Sequence, residues 1–272
     1  GDRGERMIQG KLHKYQYFLM MAATGLSGIV TYQMLSRQIG SGAWIAAAVS
    51  AAASSFMAGG AARLLHGRRM YTASLPVFIA LGVLLITLYA GGRSFWELLP
   101  VIVPAVYTAL KGERVAGRAA TVFCAVILLI YAVVLCVMAA YAEWGALSPS
   151  MLLPSGTLWP SVIKAVLINF AILLPAAMHS SCLEDRRGAA WLTVGGAALG
   201  LGTAAIVALG NAVTLGQDYS LISAGYVRTG MNIPYTLAGS LALAGETAVY
   251  LSVTIGAASA FTMAYRIGRQ KK

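Results

Sequence analysis

The sequence predicts an all-α fold, a polytopic transmembrane bundle of about eight helices. The 272 residues are 58% hydrophobic and only 11% charged, whereas a soluble domain is typically about 25% charged. Apolar runs close to the length needed to cross a bilayer recur along the whole chain. Lys and Arg residues cluster in every second gap between these runs, which is the charge pattern of a multi-pass membrane protein.

A transmembrane helix needs about 20 apolar residues to cross the hydrocarbon core. The predicted organisation is a tail over 1–14, a single transmembrane domain over 15–265 and a basic tail over 266–272. The eight predicted spans are 15–35, 42–62, 73–91, 95–110, 119–142, 158–181, 189–213 and 235–265.

The fourth span is the shortest, and it contains Pro100 and Pro104. A helix from Ser94 to Leu110 is about 25 Å long, so this segment either crosses as a short kinked helix or re-enters the same side. Re-entry would reverse every later segment and would destroy the charge alternation. We therefore expect a short crossing helix.

The basic residues also predict the orientation. Only Arg37, Arg93 and Arg228 lie in the opposite set of gaps, so both termini are expected in the cytoplasm. The formal net charge of +11 is expected to face anionic lipid rather than nucleic acid. The residues on the predicted cytoplasmic side are Arg3, Arg6, Lys11, Lys14, Arg63, Arg68, Arg69, Lys111, Arg114, Arg118, Arg186, Arg187, Arg266, Arg269, Lys271 and Lys272.

Glu246 lies about eleven residues into the last predicted span, which places it near the middle of the bilayer if the helix starts at 235. An ionisable side chain at that depth is costly and is typical of a proton or substrate pathway. It is either a proton-coupling residue or a protonated structural glutamate. Lys164 in the sixth span either extends to the interface or forms an ion pair with Glu246.

The first span contains Thr24, Gly25, Ser27 and Gly28 near its centre. Two glycines and two hydroxyls weaken a helix there, and backbone groups freed by a break can bind a ligand. Close packing of small residues is the alternative. Asn169 in the sixth span is a polar amide at a similar depth, suited to a ligand or to a neighbouring helix.

The remaining polar residues do not predict an enzyme. The histidines His13, His66 and His179 are scattered, no Ser/His/Asp set or zinc-ligand spacing occurs, and no cofactor is expected. The cysteines Cys124, Cys136 and Cys182 are expected to be free thiols rather than metal ligands. In the seventh span, Gly196 and Gly200 form a small-xxx-small pair that predicts tight helix packing.

These segments resemble a known superfamily. The stretch 14–62 is similar to the start of amino acid–polyamine–organocation (APC) superfamily members, in which the first helix breaks at a glycine pair, here Gly25 and Gly28. The stretch 169–266 resembles the second half of bacterial APC-like membrane proteins related to spore-germination permeases. The matching segments are Asn169-Phe170-Ala171, the turn Glu184-Asp185-Arg186-Arg187, the seventh span ending near Asn211, Ile233-Pro234, and the stretch from Leu152-Leu153-Pro154 to Trp159.

The resemblance implies a LeuT-type inverted repeat, with first-repeat helices over 15–142 and second-repeat helices over 158–265. It implies broken first and sixth helices with an amino acid or similar small solute between them, and a core of helices 1, 2, 6 and 7. The family pattern has ten helices, whereas eight are predicted here. A ninth and tenth helix would be absent or supplied by another chain.

Two functions follow as expectations. The first is a secondary transporter in the bacterial cytoplasmic membrane or the spore inner membrane, with proton coupling at Glu246. Thr24, Gly25, Ser27, Gly28 and Asn169 would contact its solute. The second is a ligand-sensing or assembly subunit without turnover, like a germination receptor. The expected partners are the lipid bilayer, the solute, and other membrane subunits or further copies of the chain.

Overall fold

The computed structural model describes residues 12–64, 75–90, 94–142, 144, 156–183, 188–215 and 235–269. Within these ranges the fold is all-α, and the β-type contact is a single bridge between Leu12 and Leu183. The helices match the predicted spans in number and order. They are α1a Lys14–Leu26, α1b Ile29–Ile39, α2 Ala43–Leu64, α3 Leu75–Ala90, α4 Phe95–Lys111, α5 Glu113–Ala140, α6 Leu158–Met178, α7 Ala189–Leu215 and α8 Tyr235–Arg269.

Six helical segments of the described chain are long and apolar enough to cross a membrane, which makes the chain compatible with a multi-pass membrane protein. Helix α3 is apolar but has 16 residues, and α4 has 17. Most of the predicted tail 1–14 and the basic residues Arg186, Arg187 and Arg228 lie outside the described residues. These candidate membrane-spanning segments are Lys14–Ser36, Ala43–Leu64, Glu113–Ala140, Leu158–Cys182, Ala189–Thr214 and Leu243–Arg269.

The connection between α4 and α5 is much shorter than the expected gap. A single residue, Gly112, joins the two helices with φ +91°, a conformation that glycine adopts without steric cost. Arg114 and Arg118, which the sequence placed in a loop, lie in the first turns of α5 and are exposed. The helix extends this far because nothing in Glu113–Arg118 breaks helical geometry.

The two prolines inside α4 do not end the helix. Pro104 has no N–H group, so it cannot donate to the carbonyl oxygen of Pro100 one turn earlier. The hydroxyl group of Tyr250 in α8 donates a hydrogen bond to that oxygen instead. A side chain from the neighbouring helix therefore replaces the missing backbone donor.

Helix ends meet at one face of the bundle, which we call the common face. The backbone N–H of Leu12 donates to the Cys182 carbonyl oxygen at 2.9 Å, just after α6. Glu113 at the start of α5 lies 3.2 Å from Arg266 near the end of α8. A Cβ atom added at Gly268 would lie 3.6 Å from Leu75 at the start of α3. Helix α4 therefore runs from the opposite face to the common face, as the charge alternation required.

Helices α1a, α2, α6 and α7 pack against one another, while α8 packs on α3, α4 and α5. This agrees with the core expected for helices 1, 2, 6 and 7. Glycines bring α1a and α7 into backbone contact: a Cβ atom at Gly196 would lie 2.6 Å from the Phe18 carbonyl oxygen. The predicted small-xxx-small packing of Gly196 and Gly200 is confirmed.

The first helix is interrupted at Ser27 and Gly28, where the sequence placed a break. The form of the interruption differs from the expectation, because both residues keep right-handed helical dihedral angles. The N–H of Ser27 donates to the Thr24 carbonyl at 3.1 Å, and that of Gly28 donates to the Gly25 carbonyl at 2.9 Å. The helix therefore tightens for one turn and leaves no unwound segment.

The expected break in the sixth helix is wrong. Helix α6 is continuous from Leu158 to Met178, and Asn169 lies within its regular part. Pro175 falls in the last turn, where the helix is about to change into the short 3₁₀ turn His179–Cys182. A proline in this position removes one hydrogen bond near the end of the helix and does not divide the helix at mid-depth.

Candidate functional site

Asn169 is fully buried at the point where α6 faces the first and second helices. Its Nδ2 atom donates to the Tyr32 hydroxyl oxygen at 3.1 Å and to Ser50 Oγ at 3.4 Å. Its Oδ1 atom has no hydrogen-bond partner among the residues that the structure describes. A Cβ atom at Gly28 would lie 3.2 Å from this oxygen. We call Asn169, Tyr32 and Ser50 the asparagine cluster.

The other predicted binding residues lie beside this cluster. Thr24 and Ser27 are fully buried, and Ser27 Oγ donates to the Thr24 carbonyl oxygen at 2.5 Å. Thr24 Oγ1, like Asn169 Oδ1, has no hydrogen-bond partner in the described part of the chain. The fold places Gly28 beside Asn169, with Thr24 and Ser27 in the adjoining turns of the first helix, whereas Gly25 faces α7.

Gly25 faces α7 rather than an open space. A Cβ atom added there would lie 3.1 Å from the Leu201 amide nitrogen and 3.2 Å from the Ala197 carbonyl oxygen. At this residue, the structure therefore favours the packing alternative that the sequence left open. Gly28 is equally confined, since its added Cβ atom would lie 2.4 Å from Leu201 Cδ2.

Glu246 does not share the depth of the asparagine cluster. The residue of α8 that faces Ser27 is Gly256, whose added Cβ atom would lie 3.4 Å from Ser27 Oγ. Glu246 is ten residues earlier in α8, about 15 Å along the helix axis. The neighbouring Ala244 packs on Val134 and Met138 near the end of α5. Counting from residue 235 misplaced Glu246 because α8 is 35 residues long, more than a bilayer crossing requires.

The proposed ion pair between Lys164 and Glu246 is not formed in the part of the chain that the structure describes. Lys164 lies on an exposed side of α6, whereas Glu246 is partly buried in α8. The exposure agrees with the alternative in which the lysine stem extends along the helix surface. Lys164 is thus not part of the asparagine cluster.

A second polar cluster lies at the common face, and we call Glu113, His179, Cys182 and Arg266 the common-face cluster. The Arg266 Nη1 atom is 3.2 Å from Glu113 Oε1, and it also contacts Cys182 Sγ and Ser181 Oγ. His179 is fully buried, and its Nδ1 atom is 4.0 Å from the same Glu113 oxygen. Helices α5, α6 and α8 therefore meet through charged and sulfur groups at this face.

The imidazole of His179 has a defined orientation. Its Nε2 atom lies 3.2 Å from the carbonyl oxygen of Ser259 in α8. A carbonyl oxygen only accepts, so Nε2 carries the proton and donates it. Nδ1 is then left with a lone pair and has no hydrogen-bond partner among described residues.

Sequence reasoning missed this cluster. His179 and Cys182 look like isolated residues in the sequence, and Glu113 has no predicted role, because no short spacing joins the three. They meet only because the 3₁₀ turn after α6 packs between the start of α5 and the end of α8. The available signal was their shared side in the charge alternation, since all three lie next to basic clusters on the predicted cytoplasmic side.

One further cavity, of about 380 Å³, opens between α2 and α7. Its walls include Trp44, Ala51, Ala198 and Leu209, and they are almost entirely apolar. Such a surface fits a lipid chain or an apolar side chain better than a polar solute. None of the residues that the sequence predicts to contact the solute lines this cavity.

No protein-family profile matches the chain, and no curated protein matches it. The APC resemblance consequently stays an expectation from the sequence.

Proposed function

We propose that this chain is a secondary-transporter-like membrane protein that binds a small polar solute, such as an amino acid, at the asparagine cluster. The main support for this proposal is that Asn169 Oδ1 is a buried acceptor without a hydrogen-bond partner among the described residues. Leaving such a group unpaired in an apolar interior costs about 1–3 kcal/mol. An ammonium or hydroxyl group of a solute would pair with this oxygen and recover that energy.

Solute binding requires the first helix to move. A Cβ atom added at Gly28 would lie only 3.2 Å from Asn169 Oδ1. The turn at Ser27 and Gly28 therefore fills the space in front of the amide group. The hydrogen bonds of this turn join residues three apart, as in a 3₁₀ helix, and their geometry is less favourable than that of α-helical hydrogen bonds. It is the place where the first helix can bend away at the lowest cost.

Proton coupling at Glu246 is part of the same proposal. A carboxyl group within a membrane helix is suited to carry a proton. The distance of about 15 Å along α8 excludes direct contact with a solute at Asn169. Coupling would have to pass through α8, whose Gly256 packs on Ser27.

Ligand-dependent thermal stabilisation of the purified protein tests the binding site. The twenty common amino acids are screened first, and the one that stabilises the parent is compared in Asn169→Ala. We expect the stabilisation to be lost in that variant, because stabilisation follows from binding to the folded state. Asn211→Ala is the matched control, since Asn211 is also buried in a helix and its Oδ1 atom has no hydrogen-bond partner among the described residues. Equal stabilisation of both variants would refute the assignment.

Uptake into proteoliposomes tests transport and coupling. We expect uptake of the stabilising solute to rise with an imposed pH gradient in the parent and to lose that dependence in Glu246→Gln. If Glu246→Gln responds to the gradient as the parent does, Glu246 is not the coupling residue. The rate without a gradient serves as the internal control.

A ligand-sensing or assembly subunit is the second candidate. It is favoured by the backbone contact between α1a and α7, where a Cβ atom at Gly200 would lie 2.1 Å from the Ala22 carbonyl oxygen. Such close packing holds the first helix in place and opposes the movement that transport requires. Thermal stabilisation by a solute without any uptake would support this function over transport.

A further inference from the structure

We propose that Glu113, His179 and Cys182 form a binding site for a divalent transition-metal cation of the zinc class at the common face. Each residue offers one ligand atom, and the three atoms lie within 4.8 Å of one another. They come from the start of α5 and from the turn that follows α6, both of which are held against α8. The site is separate from the asparagine cluster and does not depend on the proposed transport function.

The orientation of His179 is the first argument for a cation. Because Nε2 faces the Ser259 carbonyl and donates to it, Nδ1 is the nitrogen left to bind a cation, and it lies 4.0 Å from Glu113 Oε1. Arg266 neutralises this carboxylate in the structure, and a metal cation in its place would neutralise the carboxylate and also accept the Nδ1 lone pair. A histidine that ligates a metal usually donates its other N–H to a backbone carbonyl or carboxylate, which is the arrangement found here.

The chemical identity of the ligands indicates the kind of cation. A thiolate, an imidazole nitrogen and a carboxylate oxygen are all ligands of Zn²⁺, which binds them at about 2.0–2.3 Å. Mg²⁺ and Ca²⁺ prefer oxygen ligands alone. Tetrahedral coordination at these bond lengths requires the ligand atoms to approach by about 1 Å, with a fourth position left for water. The thiol proton of Cys182 is released to solvent when the metal binds.

Arg266 competes with the metal for this position. Its guanidinium group contacts both Glu113 Oε1 and Cys182 Sγ, so two of the three ligands face a positive charge that must leave before a metal enters. Its side chain is 29% exposed, which gives it a path to solvent. Metal binding would therefore break the Arg266 contacts that join α8 to Glu113 and to the turn after α6.

Cobalt absorption spectroscopy tests the site, because Co²⁺ replaces Zn²⁺ and bonds to thiolate with an intense charge-transfer band. The protein is purified without a histidine tag and titrated in detergent. The variant Cys124→Ala/Cys136→Ser keeps Cys182 as its last cysteine, and we expect it to retain the band. Adding Cys182→Ser should remove the band. Arg266→Gln should bind Co²⁺ about tenfold more tightly, since the competing charge is gone.

Alkylation of the unmodified protein provides a second measurement that does not depend on any variant. We expect Zn²⁺ to slow modification of Cys182 by a maleimide, with no change at the exposed Cys136, as determined by mass spectrometry. Two results would overturn the proposal. One is the absence of a thiolate band in both the parent and Arg266→Gln, and the other is equal alkylation of Cys182 with and without Zn²⁺.

Discussion

Gly200 of α7 touches the backbone of Ala22 in α1a, and a Cβ atom at Gly200 would lie 2.1 Å from the Ala22 carbonyl oxygen. The same atom would be 2.8 Å from the Leu26 amide nitrogen and 2.9 Å from Gly25 Cα. No side chain can be accommodated between these helices without separating them. The contact determines how closely the first helix, with its tightened turn, is held to α7.

Gly200→Ala is expected to destabilise the protein. The added methyl group meets backbone atoms that cannot move independently of their helix, and overpacking of this kind costs about 1–3 kcal/mol. Gly202→Ala in the same helix is the control, because an added Cβ atom there meets nothing within 4 Å. It should stabilise by up to about 1 kcal/mol through helix propensity. Unfolding in mixed micelles measures both, and a Gly200→Ala variant as stable as Gly202→Ala would contradict the packing.

Tyr17→Phe is expected to lower the free energy of unfolding by about 1–2 kcal/mol. The buried Tyr17 hydroxyl lies 2.6 Å from Thr193 Oγ1 and donates to the Ala177 carbonyl at 3.2 Å, so it joins α1a to α6 and α7. Tyr15→Phe is the matched control, because Tyr15 is 58% exposed and should change stability by less than about 0.5 kcal/mol. Equal effects of the two changes would exclude the hydroxyl as a link between helices.

Tyr250→Phe tests whether a side chain replaces the hydrogen bond that Pro104 cannot make. Loss of the hydroxyl leaves the Pro100 carbonyl without its donor, and we expect a cost of about 1 kcal/mol. In a Pro104→Ala background the backbone N–H is restored, so the same change should cost less. A double-mutant cycle of thermal stabilities measures the difference. An identical cost in both backgrounds would show that the two donors do not substitute for each other.

The Glu113–Arg266 pair is expected to show a coupling of about 0.5–1 kcal/mol, since both groups are partly exposed and solvent weakens their attraction. The measurement is a double-mutant cycle of Glu113→Gln and Arg266→Gln by unfolding at low salt. Raising the ionic strength should reduce the coupling. Arg114→Gln is the control, because Arg114 is exposed next to Glu113 and should show no coupling with Arg266. A coupling that is insensitive to salt would contradict an ion pair.

Cysteine labelling tests which side of the membrane the common face meets. In a background without native cysteines, Arg114→Cys lies at the common face and Gly156→Cys lies before α6 at the opposite end. With an impermeant maleimide on intact cells, we expect Gly156→Cys to be labelled and Arg114→Cys to be labelled only after permeabilisation. The expectation follows from the positive-inside rule. The reverse pattern would invert the proposed orientation.

The eight helices could be predicted because each signal is local. The length of an apolar run predicts α2 or α7 without reference to neighbouring helices. Pro100 and Pro104 indicate that α4 is an unusual helix. The start of α5 was misplaced, because Arg114 and Arg118 look like loop residues although they continue the helix. The break expected in α6 came from the family resemblance, and it failed because α6 is continuous and Pro175 lies in its last turn.

The candidate sites were predicted less completely. Thr24, Ser27, Gly28 and Asn169 could be grouped because each lies at a similar depth in a predicted span of ordinary length. Counting residues from the start of the span misplaced Glu246. Helix α8 is longer than a bilayer crossing requires, so its first residue does not mark where the helix enters the bilayer. The common-face cluster was missed because Glu113 lies far along the chain from His179 and Cys182, and only their shared side in the charge alternation links the three residues.

The sequence by itself determined the all-α class, the order of the helices and the alternation of their ends, because hydrophobic length and charge act on each segment separately. Only the tertiary structure decided which side chains meet. It placed Gly25 against α7 instead of a solute, Gly256 instead of Glu246 beside Ser27, and Arg266 against Glu113 and Cys182. The physical reason is that the rotation of a helix and its vertical shift against its neighbours depend on side-chain packing, which segment-by-segment apolar length and charge do not specify.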